Sequence, residues 1–130
     1  MTREAACSCG QLSVKTEGEP IRVSVCHCLA CQRRTGSAFG VQARWEADHV
    51  EIDGRYSEYV RMSDDGEGRR YYFCPDCGAT VFYKLESVPD VIAVPVGAFA
   101  DPDFPTPGVA VYGDRRHGWL TLADSIDEHH

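Results

Sequence analysis

A chain of 130 residues is about one domain's worth, long enough to bury roughly two-thirds of its unfolded surface around one core. Hydrophobic residues at 43% and charged residues at 25% are ordinary globular usage and exclude disorder throughout. Thirteen Lys and Arg against twenty Asp and Glu leave a net charge of −7, which repels phosphate backbones and argues against nucleic-acid partners.

Strand signals recur along the whole chain. Gln11–Thr16 alternates, with Leu12 and Val14 on one side, and Ile21, Val23 and Val25 alternate with Arg22 and Ser24. Phe39–Trp45, Val50–Ile52 and Tyr56–Met62 read as further strands, with Asp53-Gly54 as a hairpin turn between the last two. Asp64–Arg70 is polar and reads as a surface loop. Tyr71–Phe73 and Thr80–Leu85 flank Cys74–Cys77 as a second hairpin, and Val91–Val96 and Val109–Tyr112 complete the set. Asp101–Gly108, with three prolines, cannot be a central strand. Only Leu29–Ser37 and the last dozen residues leave room for a helical turn. The expectation is an all-β, single domain built of hairpins and closed by metal, with a core over 7–122. Residues 123–130 are expected to be a flexible tail, and Glu128-His129-His130 can be read as the start of a purification tag without function. The longest apolar run, Val91 to Ala100, is interrupted by Pro95 and Gly97 and is too short for a membrane span. With no charged-then-apolar segment ahead of the first cysteines, a soluble cytoplasmic protein without a membrane partner is expected.

Seven cysteines carry the chemistry. An odd number without an export signal argues against a disulfide framework. They stand as Cys7-Ser8-Cys9-Gly10, Cys26-His27-Cys28-Leu29-Ala30-Cys31 and Cys74-Pro75-Asp76-Cys77-Gly78, two CxC and two CxxC pairs that inert core thiols seldom form. If all seven hold metal they divide as four plus three, a closed structural site and an open catalytic one. Gly10 and Gly78 let the backbone curl so that amide N–H groups can face the sulfurs and stabilise the thiolates. Spacing does not decide which clusters share a metal. Cys28, Cys31, Cys74 and Cys77 could form a zinc ribbon, although its gap is longer than usual; Cys7 and Cys9 with Cys74 and Cys77 would use every cysteine. Cys26 and Cys28 continue the polar face of the preceding strand and should point into a groove.

In CSCG at 7–10, CHCLACQRRTGSAFG at 26–40, FCPDCGATVF at 73–82 and RHGWL at 116–120, the chain resembles the glutathione-dependent formaldehyde-activating enzymes and their centromere protein V relatives. The resemblance implies a β-tent fold and two zincs per chain. It assigns a structural zinc to Cys7, Cys9, Cys74 and Cys77, and an active-site zinc to Cys26, Cys28 and Cys31, which are then the catalytic residues. It implies a carbon–sulfur lyase or synthase reaction on a thiol–aldehyde adduct resembling S-hydroxymethylglutathione, with glutathione and an aldehyde as small-molecule partners.

A zinc held by three thiolates keeps a fourth position for a substrate thiol, whose pKa it lowers. Arg33 and Arg34 directly follow the ligands and can fork onto the carboxylates of such a thiol. Thr35-Gly36-Ser37 reads as a helix cap more than as an anion nest. His27 lies between two ligands, but its strand position opposes them and favours a packed histidine. His117 and Trp119 are candidates for the pocket mouth. The alternative to an enzyme is a non-catalytic, zinc-stapled protein-binding module, in which a group such as His27 would cap the second zinc.

Overall fold

The computed structural model describes residues 1–63 and 66–130. Eleven strands are described: β1 (Thr2–Ala6), β2 (Ser13–Glu17), β3 (Arg22–Cys26), β4 (Gly40–Glu46), β5 (Val50–Asp53), β6 (Ser57–Met62), β7 (Gly68–Phe73), β8 (Thr80–Leu85), β9 (Val91–Pro95), β10 (Val109–Val111) and β11 (Asp127–Glu128). One α-helix, α1 (Leu29–Thr35), follows the second cysteine cluster. β1, β2 and β5 form a small antiparallel sheet, and the other eight strands form a second sheet in the order β11-β10-β3-β4-β9-β8-β7-β6. The all-β expectation therefore holds, with hairpins and two sheets.

The larger sheet has two chemically distinct faces. On one, Val23, Ala43, Trp45, Tyr72, Phe82, Ile92 and Val94 pack with Ala5, Leu12 and Val14 of the small-sheet side, forming the main core. Trp45 centres it, with its ring 5.6 Å from Phe99 and 6.4 Å from Phe104, and its indole N–H on the Gly18 carbonyl at 3.0 Å. Full burial of each large side chain here contributes about 1.5–3 kcal/mol. Strand alternation sends the intervening residues to the opposite face. There, the ladder places Arg22 opposite Arg44, Arg44 opposite Ala93, Ala93 opposite Tyr83, and Tyr83 opposite Tyr71.

Several elements depart from the sequence reading. Asp53-Gly54 does not close a hairpin: β5 pairs with β2 and β6 with β7, so this turn carries the chain between sheets. Gly54 has φ +108°, and a Cβ there would lie 2.1 Å from the Gln11 carbonyl oxygen. β1 was not expected, because Thr-Arg-Glu-Ala-Ala has only one β-forming side chain and no apolar alternation; pairing with β2 from Thr2↔Glu17 to Ala6↔Ser13 makes it a strand. Nor are the last residues loose. Ile126 packs with Val25 and Ala110, and β11 runs parallel to β10. No helical turn forms there. Of the loop expected over Asp64–Arg70, residues 64 and 65 lie outside the described residues, and β7 already begins at Gly68. Among the described residues no helix is long and apolar enough to cross a membrane.

Candidate metal centres and an arginine-lined cavity

Two loops of different origin build the same local shape around the first cluster. Cys7–Gly10 lies between β1 and β2, and Cys74–Gly78 is the turn of the β7–β8 hairpin. In each loop the leading cysteine donates its N–H to a carbonyl five residues on, Cys7 to Leu12 at 2.9 Å and Cys74 to Ala79 at 3.0 Å. The closing glycine donates back to that cysteine's carbonyl, and Gly10 and Gly78 adopt φ +84° and +81°, which glycine reaches without steric cost. The Sγ of Cys9 is consequently 3.6 Å from that of Cys7 and 3.7 Å from that of Cys74, and all four sulfurs with Cys77 lie within 4.8 Å of one another. Four sulfurs around a zinc stand about 3.8 Å apart. Although burial pushes the Cys74 thiol up, the Gln11 amide and the N–H groups of Cys77 and Asp76 outweigh it and hold the thiol down to about 6. Gln11 donates to this sulfur at 3.0 Å and to the Arg55 carbonyl at 2.7 Å, tying the cluster to the crossover beside Gly54.

The second cluster sits where β3 runs into α1. Cys26 ends the strand, Cys28 caps the helix and Cys31 lies in its first turn, bringing their sulfurs within 4.8 Å of one another. Cys28 accepts from the Cys31 N–H at 3.3 Å, and Gly36, at φ +67°, ends the helix. Hydrogen bonds from the Cys26 and Cys31 thiols hold Cys28 down to about 2, and the bond with Cys28 pushes Cys26 up. All three cysteines line a cavity of about 270 Å³ on the polar face of the larger sheet. Among the described residues neither cluster includes an imidazole or a carboxylate. Sulfur-only donor sets with N–H groups turned toward the sulfurs suit a soft, thiophilic metal ion.

Residues 2–115 match the sequence profile of the family described as "Glutathione-dependent formaldehyde-activating enzyme". The chain belongs to that family. A crystal structure of a Rhodobacter sphaeroides protein, a Northeast Structural Genomics target, is similar in fold, with a TM-score of 0.60 at 19% identity. The similarity covers 76% of this chain and 91% of that one. Comparison with curated proteins finds no match.

As a glutathione-dependent formaldehyde-activating family member, the chain presents its other sequence-selected residues as follows. Arg33 and Arg34 line a separate hollow with Tyr59 and Phe73, and neither lines the cavity of the three cysteines. Arg34 is partly buried, its guanidinium carbon 5.5 Å from the ring centres of both Tyr71 and Tyr83; the hydrogen bond with Cys26 and the Arg34 charge favour the Cys31 thiolate, but the bond with Cys28 and burial outweigh them and push that thiol up. Room for the guanidinium comes from Gly40, where a Cβ would stand 3.1 Å from an Arg34 nitrogen and 3.3 Å from the Cys31 Cβ. His27 is fully buried with its ring 6.3 Å from Phe39, and it is not among the donors of either cluster. Burial and the Arg116 charge push its pKa down, so the ring stays neutral. His117 pairs with the Gln32 side chain at 2.9 Å, and Gln32 donates to the His27 carbonyl at 2.8 Å. Trp119 stacks edge-on to His117 and is 71% exposed, so it is not core; neither residue lines the cavity.

Sequence reasoning missed the cavity's cations. Arg22, Arg44, Arg61 and Arg69 line it, with Ser24, Gln42, Tyr71 and Tyr83. Arg22 and Ser24 shared the polar face of Cys26 in the sequence pattern, which was signal enough for them. Arg61 and Arg69 carried none, because their place in the cavity depends on the order in which β6, β7 and β8 join the sheet.

Proposed function

We propose that this protein is a zinc-dependent carbon–sulfur lyase or synthase acting on the adduct of a small thiol and a one-carbon aldehyde. The observation that carries the reading is the unequal setting of the two clusters: Cys7, Cys9, Cys74 and Cys77 offer four converging thiols, whereas Cys26, Cys28 and Cys31 offer three at a cavity. A four-thiol set suits a structural zinc, and a three-thiol set leaves one position for substrate.

At the three-thiol site zinc would supply Lewis acidity, favouring the ionised form of a substrate thiol and polarising an aldehyde oxygen. The protein's own groups supply the rest. Cys28 is oriented by the Cys31 N–H, and Arg34 sets a positive charge behind the cluster, offsetting its thiolates. In the synthetic direction the thiol sulfur bonds to the aldehyde carbon, and the carbonyl electron pair moves to oxygen, which takes a proton. Cleavage is the reverse, returning free thiol and aldehyde. Burial pushes the pKa of both Tyr71 and Tyr83 up, so each stays a protonated phenol that can donate to that oxygen. Arg33 and the His117–Trp119 pair are assigned to the outer surface, where they can meet the more distant parts of a substrate. In the alternative, a binding module, His27 would cap the three-thiol site, and its packing against Phe39 lends that no support.

The test is a calorimetric titration of glutathione into freshly purified protein of measured zinc content, alongside Cys28→Ser. Saturable binding that the substitution abolishes is expected. Turnover of the adduct undiminished in zinc-loaded Cys28→Ser would end the mechanism.

A further inference from the structure

The arginines of the cavity, Arg22, Arg44, Arg61 and Arg69, are not held by direct salt bridges among the described residues. Buried polar atoms lacking a partner include Nε of Arg44, one terminal nitrogen of Arg69 and Oε1 of Gln42. Unpartnered polar groups are costly to bury, and Arg44 and Arg69, which contribute two donors of this kind, both line the cavity, where their remaining N–H groups can meet a complementary ligand. Glu67 is an acidic residue whose charge reaches Arg44, together with those of Arg22 and Arg69. A locally cationic cavity in a chain of net charge −7 is not a by-product of composition.

Register places these charges away from the sulfurs. Arg22 stands four residues before Cys26 on β3, about 13 Å along the strand, and Arg44 is its direct partner on β4. Arg69 lies opposite both Leu85 and Arg61, in the rung next to Tyr71. Between the two ends Ser24 and its direct partner Gln42 line the cavity on the sheet face. A ligand whose sulfur meets Cys26, Cys28 and Cys31 must therefore extend along the sheet to meet the guanidinium groups.

We propose that Arg44 and Arg69, supported by Arg22, form an acid-binding subsite that selects thiols carrying an acidic group several bonds from the sulfur. This rests on the reading of Cys26, Cys28 and Cys31 as the thiol-binding centre, and it goes beyond it by excluding neutral thiols and short ones such as cysteine, whose carboxylate lies too close to its sulfur. A carboxylate and a phosphate present the same chemistry to an arginine fork.

Zinc-loaded protein is titrated with glutathione, glutathione diethyl ester, S-methylglutathione, cysteine and phosphopantetheine, and then with Arg44→Gln, Arg69→Gln and Arg44→Lys variants. Loss of the acid groups in the ester should weaken binding about ten- to hundredfold. Arg44→Gln and Arg69→Gln should bring glutathione down to the ester's level while leaving the ester unchanged, and Arg44→Lys should recover part of the loss. Arginine-dependent binding of phosphopantetheine above that of glutathione would assign the acid as a phosphate, and the reverse order as a carboxylate. Equal binding of acid and ester, variants that weaken both alike, or tight binding of cysteine would overturn the proposal. S-methylglutathione keeps the acids but has no free thiol. Arginine-dependent binding of it, with no added gain for glutathione, would uphold the subsite while refuting the thiol centre. Its failure to bind at all would refute the subsite.

Discussion

The two cysteine clusters use the same atoms for opposite ends. The four-thiol cluster joins segments some 65 residues apart, from the loop before β2 to the β7–β8 turn, and sits against the main core through Cys7 and Cys74. The three-thiol cluster is local, contained within Cys26–Cys31, and faces a cavity. Crosslinking distant chain restrains the unfolded ensemble strongly, whereas a six-residue loop restrains little. Stability should therefore depend on the first cluster and ligand binding on the second.

The largest effect should separate the two most sharply. A structural zinc contributes about 10–16 kcal/mol in small domains, more than the 5–15 kcal/mol by which most domains are stable. Cys74→Ser should thus leave a chain without a cooperative thermal transition. Cys28→Ser should lose one metal per chain by elemental analysis yet melt within a few degrees of the parent, since serine keeps the helix cap that Cys28 provides. If Cys28→Ser unfolds as Cys74→Ser does, the division of labour is wrong.

Gly54→Ala probes the four-thiol side without touching a sulfur. A methyl placed 2.1 Å from the Gln11 carbonyl oxygen, at φ +108°, should cost about 3 kcal/mol or more in urea unfolding, with the cavity's ligand affinity unchanged in the folded fraction. Gly40→Ala is its counterpart on the open side. There the added carbon presses Arg34 and Cys31 at 3.1–3.3 Å, so about 1 kcal/mol of stability is expected to go. Its larger mark should be on metal retention at the three-thiol site, measured by competition with a chromogenic chelator.

Acidification should resolve the same pair more gently. Thiolates bind metal and thiols do not, so protons compete for both clusters and metal is lost as pH falls. With three protein ligands against four, the open cluster should release first, at the higher pH. Stopped-flow release followed through a pH series should show two steps, and Cys28→Ser should delete the earlier one. A single step would mean that the clusters are thermodynamically alike.

Much of the fold was legible because its physics is local. Alternation in Ile21–Val25 placed Val23 and Val25 on one face and Arg22 and Ser24 on the other, and Phe39–Trp45 read as a strand. Gly78 after a CxxC pair marked a knuckle, and Gly36 marked the end of α1. β1 was invisible because its residues have little strand preference; only β2 beside it makes Thr2–Ala6 extended. The turn at Asp53-Gly54 has a hairpin's residues, yet the glycine serves a close approach to Gln11 that no local pattern could reveal.

The sequence by itself determined the thiol clusters, the all-β class and the family, because ligand spacing and strand periodicity are written in neighbouring residues. What only the tertiary structure decided is which clusters converge and what surrounds them. Cys7 and Cys9 meet Cys74 and Cys77 only because β1–β2 lies against the β7–β8 hairpin. The guanidinium groups of β3, β4, β6 and β7 line one cavity with the cysteines, at its other end, only because β9, through Ala93, joins Arg44 to Tyr83 across one sheet face. Arg34, next to the ligands in sequence, turns instead beneath two tyrosine rings. Neighbouring residues set the cysteine pairs, but strand order sets which pairs meet and the charge of the cavity.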